Sequence, residues 1–342
     1  MPSHALGPLG LLIRSEASRY FGPARFLAAT ACIRHPCGVP RAFDPPAGRL
    51  CKSSTANALN NNGEHAMKGS IVLVNDTDDP EIARSVTQER HHRLTQLIAA
   101  LRLFSRWGYD EGEGFAGHFA CRDPEVTNAF WVNPVGVHLA KVDVDDLVLL
   151  DYEGNVLAGR HPVNIGALVL HASVHAARPD VVASAHFHST YGRIWAATGR
   201  ILPIISQDTC AFYQDQAVDH EFGGLPHTFE DGRATAEALG DLNTMILKYH
   251  GLLTVGASVE AAAWRYVTLE RACQAQVLSA GLGPLEPIPH EVALRTRQYV
   301  ASEESARVQF QPLHDYIEHV DGTWTTDASR MPAPQRPAFT SA

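Results

Sequence analysis

Cysteine is scarce and unpaired in this sequence. Cys32, Cys37, Cys51, Cys121, Cys210 and Cys273 are spread over 342 residues with no CxxC spacing. That argues against a disulfide framework and suits a reducing compartment, so the expected location is cytoplasmic. Cys210 and Cys273 read as small buried hydrophobes. Long apolar runs are also missing: no stretch reaches the ~20 residues that cross a bilayer, and no membrane partner is expected. Positive charge is short, with Lys+Arg 28 against Asp+Glu 37 and a formal net charge of -9. Binding a phosphate backbone needs clustered cations, so nucleic acid is not an expected partner either. There is no GxxxxGK[ST] loop to support a nucleotide site.

The composition that remains, 45% hydrophobic and 19% charged, is that of a folded chain able to bury a sizeable core in one large domain or two small ones. Residues 1–84 read as a variable extension. Through Lys52 the segment carries seven basic residues and two acidic ones, with Pro and Gly throughout. A targeting peptide, a loose tail and an overlong start all remain open there. The periodic body is expected over 85–300. Residues 301–342 are expected to form a C-terminal extension ending in the loose tail "DASRMPAPQRPAFTSA".

Within the body, 85–108 has helical spacing, with Leu94, Ile98, Leu101 and Phe104 on one stripe and Gly108 as the stop. "HFACRD" and "AFWVNP" read as a hairpin-like strand pair, and "DLVLLDYEGNVLAG" as a hairpin turning at Glu153-Gly154-Asn155. A helix in "PVNIGALVLHASVHAARPD" precedes a buried strand in "VVASAHFHS". A helix in "TFEDGRATAEALGD", a strand–turn–strand in "TMILKYHGLLTVG" and a long helix from Ser258 follow. This order predicts a layered α/β domain, not a barrel.

The chemistry concentrates in histidines. His186 and His188 are two apart at the end of a predicted strand, so both point to one face. Two imidazoles there can chelate a cation at about 2.0–2.1 Å. His250 also ends a predicted strand, and Gly251 behind it permits close backbone approach. A third imidazole leaves open coordination positions, the mark of a catalytic metal. Imidazoles suit zinc, iron, cobalt or nickel better than magnesium or calcium. His171 and His175, four apart on a helix, read as packing or as hydrogen-bond support for the ligands. His91 and His92 read as exposed. His118, beside a glycine, is a site candidate. Tyr191, Gln207, Asp208, Tyr213 and Asp215 are either pocket-lining or an ordinary polar loop.

The segments "GHFACRDPE…FWVNPVG" (117–136), "HAARPDVVASAHFHS" (175–189) and "KYHGLLTVG" (248–256) resemble the class II aldolase and adducin head domain family, over about 85–300 and into "FQPLHDYIEHV". The resemblance implies a three-layer α/β/α sandwich around a mostly antiparallel sheet. It also implies one divalent transition metal on His186, His188 and His250: zinc first, with iron, manganese or cobalt as alternatives. A homotetramer with sites at subunit interfaces is implied as well. The family's sugar-phosphate aldolases carry a proton-transfer glutamate eleven residues before the arginine of the "RPD" run, and here that position is Ala167. Their phosphate-binding positions match Phe115, His118, Ile165 and Gly166, and the tyrosine from a neighbouring subunit falls near Gln207. Phenylalanine and isoleucine cannot donate hydrogen bonds to phosphate.

The expected function is therefore a metal-dependent carbon–carbon lyase acting on a small, non-phosphorylated oxo- or hydroxy-carbonyl substrate. Tyr191, Tyr213 or His118 would move the proton that Ala167 cannot. The aromatic set Phe130, Trp131, Tyr191, Trp195, Phe212 and Tyr213 suggests an aromatic or hydrophobic substrate. Two alternatives stand beside it. One branch of the resemblance is associated with non-heme iron oxidative decarboxylation of aromatic keto acids, and the adducins keep the fold as a non-catalytic binding module.

Overall fold

The computed structural model describes residues 84–110, 114 and 116–322. They belong to the second of the chain's two units, Glu64–Ala342. The expectations for residues 1–83, for Phe115 and for the tail after 322 fall outside the described residues.

The first helix, α1 (Val86–Arg106), begins at a capping box. The Ser85 hydroxyl accepts from the Gln88 amide, and the Gln88 side chain accepts from the Ser85 amide. The expected stripe of Leu94, Ile98, Leu101 and Phe104 is buried. The expected strand pair is β1 (His118–Arg122) and β2 (Ala129–Val132), and the hairpin is β3 (Val148–Asp151) and β4 (Val156–Ala158). Then come α2 (Ile165–Ala177), β5 (Ala183–Phe187), α3 (Thr190–Ala196), β6 (Gln216–Asp219), α4 (Phe229–Leu239), β7 (Thr244–Leu247), β8 (Gly251–Gly256), α5 (Val259–Leu278), α6 (His290–Val300) and α7 (Glu303–Asp321).

Eight strands make one sheet in the order β4-β3-β2-β1-β5-β8-β7-β6. Every pairing is antiparallel except β6 with β7. Period-2 alternation sends Phe119, Cys121, Ala183, Ala185 and Phe187 to one face, where they pack with residues of α1, α5 and α7. The opposite face meets α2 and α4 through Ala120, Phe130, Val132, Leu253 and Val255. The result is a three-layer α/β/α sandwich around a largely antiparallel sheet. No helix among the described residues is long and apolar enough to cross a membrane.

Two polar anchors lock the layers. Arg90 of α1 makes a bidentate pair with buried Asp123 at 2.7 and 2.8 Å, and the Trp131 indole donates to the same carboxylate at 2.7 Å. Arg122 donates to the carbonyls of His175, Arg178 and Val181, which fastens the C-terminal end of α2 onto the sheet. Thus the "RDPE" run is scaffold.

Several elements differ from the sequence reading. The edge strand β6 and the short helix α3 were not expected, because four and seven residues carry too little periodicity to read. Ala306, Phe310 and Ile317 of α7 are buried in the main core, so this helix is packed into the body. Phe130, Trp131 and Phe212 are core residues at 0–1% exposure, not pocket walls. His92 is not free on the surface: its Nε2 lies 2.8 Å from buried Glu260. The spacing of Gly112, Gly114 and Gly117 matches GxGxxG, but this run follows a helix and precedes a strand. That is the reverse of the dinucleotide-binding order.

Candidate metal centre

His186 sits on β5, directly opposite His118 of β1 and Leu253 of β8 in the sheet register. His188 follows one residue past the strand, on the same side by alternation. His250 comes from the tight turn Lys248-Tyr249-His250 between β7 and β8. Tyr249 takes φ 62°, a left-handed conformation that costs a bulky residue energy and redirects the chain at this turn. Gly251 is required for a different reason. A Cβ there would stand 2.5 Å from the Phe187 carbonyl oxygen and 3.0 Å from Cδ2 of His188. Any side chain at 251 would push the two histidine-bearing strand ends apart.

The three rings form a near-equilateral triangle, with centroids 5.0, 4.6 and 4.7 Å apart. Their ligand nitrogens all lie within 4.8 Å of one another. Nε2 of His186 is 3.1 Å from Nε2 of His188. His186 donates Nδ1–H to the Leu252 carbonyl at 2.9 Å, which leaves Nε2 as a lone pair turned to its neighbours. Burial holds His186 well below the usual imidazole range and lowers His188 and His250 to about 4. Arg193 adds to the shift at His188, and His188 adds to that at His250. All three are therefore neutral at pH 7, as metal ligands must be. The donor set fits a divalent transition metal. A second grouping, His314, Asp315 and Glu318, meets the same 4.8 Å spacing but runs along the single helix α7 with its carboxylates exposed.

The triad opens on a cavity of about 350 Å³, within the range of small-molecule sites. Its other walls are Ala116, His118, Asn164, Ile165, Gly166, Leu170, Leu225, Pro226 and His227. Among the described residues no carboxylate lines it, and the aliphatic residues give it an apolar character. Ile165 and Gly166, the positions matched to phosphate binding, lie at its wall, where isoleucine offers no donor. Ala167 is fully buried among Ala120, Phe130 and Val132 and does not line the cavity.

Among the other expected residues, His118 is on this wall and 5% exposed. Its ring lies 4.9 Å from that of His186. Tyr191 lines a separate cavity with Trp107, Tyr109 and Glu270. Tyr213 hydrogen-bonds His290 of α6. Neither tyrosine is on the wall of the histidine cavity. Asp215 is tied to Asn243, and Gln207 and Asp208 are exposed.

One positioning residue escaped the sequence reading. The buried side chain of Asn133 accepts from the Phe119 amide at 2.9 Å and donates to the Gly117 carbonyl at 3.1 Å. It brackets the backbone on both sides of His118. A polar residue closing an apolar strand in "FWVNP" was the available signal.

Comparison with known proteins agrees with this architecture. The class II aldolase and adducin N-terminal domain family matches residues 95–277. The chain is 36% identical over 261 residues to the 4-hydroxy-3-prenylphenylpyruvate oxygenase/4-hydroxy-3-prenylbenzoate synthase of Streptomyces roseochromogenus subsp. oscitans, covering 76% of this chain and 94% of that protein. It is 37% identical over 237 residues to the decarboxylase NovR of Streptomyces niveus, covering 69% and 87%. Among solved structures, the L-fuculose 1-phosphate aldolase from Glaciozyma antarctica PI12 superposes with a TM-score of 0.66 at 36% identity, covering 71% of this chain and 95% of that one.

Proposed function

The chain belongs to the class II aldolase and adducin N-terminal domain family, and on that footing we propose that it is an oxygen-dependent decarboxylase of an aryl 2-oxo acid, working at a non-heme iron held by His186, His188 and His250. The observation that carries this reading is the charge balance of the cavity. Three neutral imidazoles leave a divalent ion its full charge, and among the described residues no carboxylate lines this cavity to offset it. A 2-oxo carboxylate, anionic and chelating, supplies what the protein withholds. Its aryl body suits the wall of Ile165, Leu170, Leu225 and Pro226. The name of one relative, an oxygenase of a substituted phenylpyruvate, supports the same substrate class, and that of a second, a decarboxylase, supports the reaction type.

Iron, when bound, supplies the redox chemistry that zinc lacks. The balanced conversion is one arylpyruvate and one dioxygen to carbon dioxide and a 2-hydroxy acid one carbon shorter, with no external reductant. The protein's own part is to hold and orient. The Leu252 carbonyl fixes the tautomer of His186, Gly251 lets the strand ends close on each other, and the aliphatic wall excludes water.

A metal-dependent lyase acting on a non-phosphorylated carbonyl substrate is the second reading, favoured by the likeness to the solved fuculose-phosphate aldolase. Retro-aldol cleavage needs a group that accepts the hydroxyl proton, and Ala167 cannot be that group. A non-catalytic adducin-like module would have no use for three converged neutral histidines. Protein purified without oxygen and without nickel affinity decides between them. Stoichiometric iron, with oxygen uptake and carbon dioxide release on phenylpyruvate, is the expected result. Oxygen-independent carbonyl cleavage with bound zinc would move the assignment to the lyase, and absence of any stoichiometric metal would move it to the binding module. The homotetramer implied by the family is tested by sedimentation.

A further inference from the structure

A chain of hydrogen bonds runs from the cavity into the layer between α2 and the sheet. Nδ1 of His118 is 2.8 Å from Nε2 of His171. Nδ1 of His171 is 2.7 Å from the Ser184 hydroxyl, which is 3.0 Å from Nε2 of His175. Exposures along this chain are 5, 0, 0 and 1%. The sequence brings the four together by periodicity. His171 and His175 are one turn apart on α2, Ser184 shares the β5 face of His186, and His118 stands opposite His186 in register.

Burying four polar side chains costs more than an apolar packing of the same space unless every member is satisfied. Neighbouring positions on this face, Ala120, Phe130 and Val148, are apolar. The polar run therefore calls for a reason beyond packing. Its bonds are directionally linked through His171, whose two nitrogens are both engaged, one to donate and one to accept, while Nδ1 of His175 has no partner among the described residues. If His175 donates to Ser184, Ser184 donates to His171 and His171 donates to Nδ1 of His118. His118 then carries its proton on Nε2, the nitrogen with no protein partner among the described residues, on a side chain that lines the cavity. On the cavity wall that donor faces the space a ligand would fill, and a ligand acceptor would satisfy it.

We propose that His118 grips the carboxylate of an anionic ligand through Nε2–H, and that His171, Ser184 and His175 are positioning residues that hold it in that tautomer. The identity of the ligand as a 2-oxo acid rests on the function proposed above. The hydrogen-bond chain itself does not.

The test is calorimetric binding of phenylpyruvate to the iron-loaded protein without oxygen, beside turnover with oxygen. Ser184→Ala is expected to weaken binding about tenfold and His118→Ala about a hundredfold, the range of hydrogen bonds to a charged group. Metal per chain should be unchanged in both. Ser184→Thr keeps the hydroxyl and should recover most of the affinity. In ¹⁵N spectra of the metal-free protein, His118 should show one Nε2–H tautomer in the parent and a mixture in Ser184→Ala. Parental affinity in both alanine variants overturns the proposal. Loss of metal from His118→Ala overturns it too, by making His118 a fourth ligand. If phenylpyruvate binds through His118 but is not turned over, the decarboxylase reading fails and this inference stands. If it is turned over with no dependence on His118, the reverse holds, and if it neither binds nor reacts, both fail.

Discussion

On one face of β1 and β5, Phe119, Cys121, Ala183, Ala185 and Phe187 pack with Phe104 of α1 and Tyr266 of α5. On the other face of the same two strands stand His118, Ser184, His186 and, just past the strand end, His188. The first set is an aromatic cluster: the Phe104 ring lies 6.0 Å from Phe119, 5.0 Å from Phe187 and 5.1 Å from Tyr266. The second is nearly as buried, yet almost wholly polar. A one-residue slip of either strand would exchange the two sets, so the apolar face fixes the register on which the histidine face depends. Stability and chemistry are thus written on alternate residues of one segment, and they should fail separately.

The largest expected separation comes from His186→Ala. Metal content and activity should be lost, the latter by a thousandfold or more in order of magnitude, while the metal-free protein melts near its parent. Full metal occupancy in this variant would sink the ligand assignment. The mirror experiment is Phe104→Ala, which should cost about 3–5 kcal/mol of stability while the folded fraction keeps one metal per chain. A loss of metal at temperatures where that variant remains folded would show that the two faces are not independent.

Acid sharpens the comparison. Burial holds His118, His171 and His186 well below the usual imidazole range, and lowers His175 to about 3 and His188 and His250 to about 4. In the unfolded chain these rings titrate near pH 6.5. Below that pH the unfolded state binds more protons, so the stability present above pH 6.5 is lost as pH falls toward 4. The metal-free protein should lose roughly 5 °C or more of Tm between pH 7.5 and 5. A flat profile there would count against neutral buried rings.

The smallest functional effect is expected from Ala167→Glu, which restores the residue type of the sugar-phosphate aldolases. Its position is enclosed by Ala120, Phe130 and Val132, off the cavity wall. The carboxylate should lower Tm through unpaired burial and give no cleavage of L-fuculose 1-phosphate. Robust turnover of that sugar would show that Ala167 can reach the metal after all.

Much of the centre was legible in the residues. The HxH at a strand end and the histidine–glycine pair at the next turn announce themselves because strand alternation and the need for backbone approach act over two or three positions. The aromatic pocket misread the molecule for the complementary reason. Phe130, Trp131 and Phe212 are equally apolar whether they line a cavity or fill a core, and composition cannot tell which.

By itself, the sequence determined the order of the longer elements, the two faces of the strands it could read and the imidazole set, since all of these follow from local periodicity. Only the tertiary structure decided which side chains meet. The antiparallel register of β1 with β5 puts His118 beside His186, the packing of α2 turns His171 and His175 into supports for it, and the enclosure of Ala167 removes that position from the site. The contacts of His118 with His171 and His186 join residues more than 50 apart in the chain, and no local pattern carries the information that fixes them.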